Sequence, residues 1–106
     1  MTEKNLTGPQ LRKLKSLAQH LEPVAKVGKQ GVTPAFIQSL LQILAHHELI
    51  KLKFTEFKEE KKALAAEIAE KTGSHFVWMV GHVAIFYREH SDPAQRRILG
   101  ASAVSE

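Results

Sequence analysis

Between Val24 and Phe54 the chain reads as strand, glycine loop, helix, strand, and that order constrains the fold more than any other feature. Val24 to Val27 is short and apolar enough for a strand. Gly28-Lys29-Gln30-Gly31 follows, then Thr33 and Pro34, a helix N-cap and first-turn proline. Phe36, Ile37, Leu40, Leu41, Ile43 and Leu44 recur at helical spacing and make a broad apolar face. Leu49 to Phe54 then alternates, with Ile50, Leu52 and Phe54 on one side and Lys51 and Lys53 on the other. Two strands joined through a helix form a right-handed crossover, which lays the helix on a sheet face.

The flanks extend this unit. Thr7-Gly8-Pro9-Gln10 reads as a capping box, opening a first helix whose stripe is Leu11, Leu14, Ala18 and Leu21. Arg12, Lys13 and Lys15 fall off the stripe into solvent, and Pro23 is expected to stop the helix at Glu22. A third helix is expected over Glu59 to Thr72, ended by Gly73. Strands Ser74–Val80 and His82–Tyr87, joined tightly at Gly81, close the domain. The order is α-β-α-β-α-β-β. It predicts a two-layer α/β sandwich: a small mixed four-stranded sheet with helices on one face and the other face open. From Ser91 the chain turns small and polar, so residues 91–106 are expected to be a tail with at most a short helix after Pro93.

Bulk properties narrow the function classes. A length of 106 residues, 43% hydrophobic and 25% charged, suits one soluble domain. No apolar run reaches membrane-span length, and MTEKNLTG lacks a secretory apolar segment, so a cytoplasmic protein without membrane contact is expected. With no cysteine, thiolate metal sites and disulfides are out of reach. The net charge of +4 favours an anionic partner, nucleic acid first.

The glycine loop carries the sharpest chemistry. Glycines let a backbone approach phosphate, the following helix presents its positive end, and Lys29 adds a charge. The spacing of a Walker A loop is absent, and so is the third glycine of a dinucleotide fingerprint. A GxxG that grips nucleic-acid backbone is the nearest mechanical analogue, and a plain tight turn is the alternative. Lys51 and Lys53, with Lys26 on a neighbouring strand, form either a basic stripe toward the loop or a solvated sheet edge. Phe76 and Trp78 alternate against Val77 and Met79. With the latter pair under the helices, Trp78 would face the open side, available for base stacking or ordinary packing. Arg88 closes the last strand, free for a phosphate or an acidic neighbour.

Catalytic patterns are missing. The six histidines include no HExxH and no i,i+4 pair, and Glu59-Glu60-Lys61-Lys62 reads as a solvated helix face. No nucleophile–base pair can be proposed from spacing, so no enzyme activity, metal or cofactor is expected.

Taken together, LTGPQLRKLKSLAQHLEPVAKVGKQGVTPAF, HELIKLKF and ALAAEIAEKTGSHFVWMVGHVAIFYR resemble the CRM domain family in its bacterial YhbY-type single-domain form, from about Leu6 to Arg88. The resemblance implies one RNA-binding domain over residues 1–90, with a fold similar to the C-terminal domain of translation initiation factor three. It implies association with rRNA of the precursor large ribosomal subunit and assistance in its assembly; a monomer is expected, and a module docking ribosomal proteins, with Trp78 and Phe76 as anchors, is the alternative. The family's loop maps to Gly28, Lys29, Gln30 and Gly31, and its basic strand to Lys51 and Lys53. The chain departs from the family pattern at Gly8-Pro9 and at Trp78, where a polar residue is expected.

Overall fold

A computed structural model describes residues 6–96 and residue 98. Helix α1 (Gly8–Ala18) starts on the capping box: Thr7 Oγ1 accepts the Gln10 N–H at 3.2 Å, and Gln10 Oε1 accepts the Thr7 N–H at 2.9 Å. It ends short of Glu22, because the N–H groups of Gln19, His20 and Leu21 turn back onto the carbonyls of Ser16, Leu17 and Ala18. This i→i−3 tightening removes Leu21 from the apolar stripe and leaves it exposed. β1 (Ala25–Val27), α2 (Pro34–His46) and β2 (Leu49–Phe54) follow as expected, with Thr33 Oγ1 capping the Phe36 N–H at 3.1 Å. A 3-10 turn (Lys58–Glu60) precedes α3 (Lys61–Thr72), which ends at Gly73 with φ 69°. β3 (His75–Val80) and β4 (Val83–Tyr87) form the terminal hairpin, turning at Gly81 with φ 60°.

The sheet order is β1-β2-β4-β3, with β1 parallel to β2 and the other pairs antiparallel. Strand alternation assigns the faces. Val27, Ile50, Leu52, Phe54, Ala84 and Phe86 join Ile37, Leu40 and Leu44 of α2 and Ala65 and Ile68 of α3 in the main core. Leu49, Ile85 and Tyr87 have the opposite parity and pack with Leu14 and Ala18 of α1. The α/β class, element order and mixed four-stranded sheet are as expected, but the helices do not share one face. α1 lies across the second face and covers its Leu49–Tyr87 end.

β3 carries the other departure from simple alternation. Phe76 pairs with Phe86 and Trp78 with Ile85, which leaves Val77 as a bulge. The extra residue resets the parity: Phe76 and Met79 pack on the main core, while Val77 packs on the α1 side. Phe76 and Trp78 therefore do not share a face, and Val77 and Met79 do not either.

The expected tail is tied down where it is described. The buried Glu48 carboxylate accepts the His90 N–H at 2.7 Å and the Ile98 N–H at 3.1 Å, around a 3-10 turn at Pro93–Gln95. The remainder of the expected polar end, residues 99–106, lies outside the described residues. Beside Glu48 the buried Tyr87 hydroxyl makes no hydrogen bond to the described residues. Burial raises its pKa, the Glu48 and Glu89 carboxylates add to the rise, and Arg96 opposes it. A phenol raised in the folded state has no effect on stability below its unfolded value, about pH 10, and costs stability above it. The unfolded chain then sheds a proton that the folded chain keeps. Urea unfolding from about pH 8 to 11 should show wild type losing more stability than Tyr87→Phe above about pH 10. Parallel loss in both would mean that the hydroxyl reaches solvent.

Candidate functional site

On the α1 side of the sheet the register arranges side chains in three rows. Leu49, Tyr87 and His75 form the row under α1. Lys51, Ile85 and Trp78 form the middle row. Lys26, Lys53, Val83 and Val80 form the last row, which α1 does not reach and which adjoins the glycine loop. Lys26 and Lys53 are register partners, so their Cα atoms stand roughly 4.8 Å apart. Their exposed side chains leave the same face of neighbouring strands, where like charges repel and an anion laid across them would relieve that repulsion.

Lys51 behaves differently. Its side chain is half-buried, and Nζ donates to the Leu21 carbonyl at 3.0 Å. This strut ties the segment after α1 to the sheet and leaves Lys51 less free for a ligand than Lys53. Trp78, 36% exposed, is in the adjacent position of the middle row, with Lys15 Nζ at 4.9 Å from its ring centroid. Lys15 is thus half-buried against the indole rather than off the packed surface. A groove of about 430 Å³ runs here, lined among others by Lys15, Leu21, Lys51, Trp78 and Val80.

The loop begins where β1 ends. The Gly31 N–H donates to the Gly28 carbonyl at 3.0 Å, which closes a turn with Lys29 and Gln30 exposed at its tip. The two glycines have different reasons. Gly31 has φ 71°, and a Cβ there would lie 3.4 Å from Cε2 of Phe57. Gly28 has no left-handed φ, and a Cβ on it would meet nothing within 4 Å. Its outer side is open backbone.

Several charged residues at this end have no counterpart in the sequence reading. Lys61 Nζ donates to the Gly81 carbonyl and contacts His82 Nδ1 at 3.1 Å. Partial desolvation, then the ammonium charges of Lys61, Lys58 and Lys53, lower the His82 pKa. One imidazole therefore senses three lysines from β2, the 3-10 turn and α3. Lys58 lies before the expected helix and Lys61 was read as part of its solvated face; the 3-10 turn at Lys58–Glu60 and the start of α3 at Lys61 bring both toward His82. Arg88 stands apart. Its N–H donates to the Glu48 carbonyl at 2.8 Å, at the far end of β4 and roughly 17 Å from the Val83 end. The fold therefore brings Lys26, Gly28–Gly31 and Lys53 together, sets Lys51 and Trp78 in the next row, and leaves Arg88 outside the group.

A second depression, lined by His20, His46, His47, His90 and Glu48 among others, lies at the Arg88 end. Among the described residues no three His, Asp or Glu side chains are placed to share a metal ion. No described helix is long and apolar enough to cross a membrane.

Known proteins are similar in sequence and fold. Residues 6–88 match the CRS1 / YhbY (CRM) domain. A Haemophilus influenzae protein named RNA-binding protein is 37% identical over 84 residues, 78% of this chain and 85% of its own length. A Bacillus subtilis protein named probable RNA-binding protein YqeI is 34% identical over 91 residues, 85% of this chain and 95% of its own. The solution structure of a Staphylococcus aureus protein superposes with a TM-score of 0.74 at 33% identity, spanning 89% of this chain and 99% of that one. From its capped first helix through the glycine loop and the basic strand to the terminal hairpin, this chain belongs to the CRS1/YhbY (CRM) domain family.

Proposed function

We propose that this protein is a non-catalytic RNA-binding protein of the cytoplasm that holds rRNA of the precursor large ribosomal subunit and assists its assembly. The observation that carries the reading is the continuity of Lys26, Lys53 and the open Gly28–Gly31 backbone on one surface. Lysines on adjacent strands supply affinity for phosphate regardless of sequence. The loop amides and the start of α2 favour an anion at one position, which sets register. The relatives named as RNA-binding proteins support the same partner.

The groove at Trp78 favours a second reading, a docking site for ribosomal proteins. Leu21, Trp78 and Val80 are exposed together there. Phe76, which plain strand alternation would put beside Trp78, packs on the main core instead. Salt separates the readings. Binding to large-subunit rRNA fragments, followed by fluorescence anisotropy, should weaken steeply and linearly in log–log form as salt rises. In cell extracts the protein should co-sediment with precursor large-subunit particles and leave them after nuclease treatment. Binding to particles that survives both salt and nuclease would favour the protein-docking reading and remove the RNA one.

A further inference from the structure

The geometry points to Phe57 as a stacking platform for one unpaired nucleobase, set beside the phosphate-holding loop. The inference rests on the RNA reading above and adds the form of RNA that the site takes. Phe57 is the one non-glycine residue with positive φ among the described residues, at φ 56° and ψ 39°. An aromatic residue is strained in that region, and burial of the ring would be the usual compensation. Here the ring stays 41% exposed. Its edge atoms Cε2 and Cζ face Gly31, where an added Cβ would come into contact with them at 3.4 and 3.5 Å.

The ring's turn is anchored to the loop. The Val27 carbonyl, immediately before Gly28, accepts the Thr55 N–H at 3.1 Å, the Glu56 N–H at 3.2 Å and Thr55 Oγ1 at 3.0 Å. The Glu60 N–H then closes the turn on the Phe57 carbonyl at 3.1 Å. Loop and turn thus share one anchoring atom, and the distance from gripped phosphate to ring is built in.

Charge decides what the ring accepts. Exposed Lys29 in the loop and exposed Lys58 next to Phe57 in sequence suit the phosphates that flank a nucleotide. Glu56, Glu59 and Glu60 line the shallow depression around the ring together with Lys58, three carboxylates against one ammonium, and that balance disfavours phosphate at the ring itself. A neutral base fits that position and a phosphate does not. The ligand is therefore RNA with an unstacked base, from a loop, bulge or single strand. A blunt duplex keeps its bases in the stack and offers only backbone.

The test compares wild type, Phe57→Gly and Phe57→Tyr on a short single strand carrying 2-aminopurine and on a blunt RNA duplex. Phe57→Gly relieves the backbone strain, so its melting temperature should stay close to wild type. Its affinity for the single strand should fall about tenfold, the size expected of one stacked base, with loss of the fluorescence change on binding. Duplex affinity should be unchanged, and Phe57→Tyr should restore the single-strand values. Equal affinity of wild type and Phe57→Gly for the single strand would overturn the proposal. So would a large fall in melting temperature with equal losses on both RNAs, which would make the ring a packing group. Wild type binding neither RNA would remove the RNA reading itself, a result distinct from either.

Discussion

Lys26→Ala, Lys29→Ala, Lys53→Ala and Lys58→Ala combined should flatten the salt dependence of RNA binding by roughly 3 units of log affinity per log salt. At about 0.1 M salt the affinity loss should be on the order of 10²- to 10³-fold. All four side chains are exposed, so the melting temperature should hold or rise slightly as like-charge repulsion is relieved. His82 provides an internal check by NMR titration. Lys58 and Lys53 are among the charges that hold its pKa down, so the pKa should rise in the variant. Bound phosphate should raise it too, so RNA affinity should increase as pH falls toward the lowered pKa of free His82. A variant with a shifted His82 and an unchanged salt slope would show that the lysines are clustered but do not touch RNA.

Gly31→Val should destabilise the fold by about 2–4 kcal/mol. A non-glycine residue in the left-handed region costs about 1–2 kcal/mol, and β-branching with contact against Phe57 adds to it. For a domain this size that lowers the melting midpoint by on the order of 10 °C. Gly28→Val is the contrasting change. With no left-handed φ and open space around the new Cβ, it should leave stability within about 0.5 kcal/mol of wild type. RNA affinity should nevertheless drop roughly tenfold or more, by the loss of a backbone N–H bond to phosphate. Thermal melts and anisotropy on the same samples separate the two glycines. A Gly28→Val protein that binds normally would reduce the loop to a turn.

Local chemistry was legible in the sequence. Thr7 with Gln10, Thr33 with Pro34, and Gly73 and Gly81 each mark a boundary through their own backbone preferences, and each sits where expected. The side of the sheet taken by α1 was not read, although β4 carried the signal. Ala84, Ile85, Phe86 and Tyr87 are apolar at both parities, the mark of a strand covered on both faces. Leu49 repeats the message, sharing its parity with Lys51 and Lys53 yet buried. The Val77 bulge had no such signal, since no glycine or proline announces it. Phe57 is the same case: a left-handed phenylalanine follows from the anchoring of Thr55 and Glu56 on Val27, a tertiary constraint. At the site, Lys26, Lys53 and the loop were legible through strand alternation. Lys58, Lys61 and His82 meet only because a turn, a helix start and a hairpin tip converge.

The edge strands also bear on how this chain behaves at high concentration. A sheet with free edges can grow by adding strands from other molecules, which needs a regular run of unpaired N–H and C=O groups. At one edge β1 offers only three residues, with Lys26 among them. At the other, β3 is long enough to recruit a strand and exposes Val80, 47% accessible, and Trp78 beside it. There the extra residue at Val77 twists the strand and breaks its ladder midway. An incoming strand would find no register that satisfies both halves. The bulge that turns Trp78 outward thus also guards the exposed edge against fibre-like self-pairing.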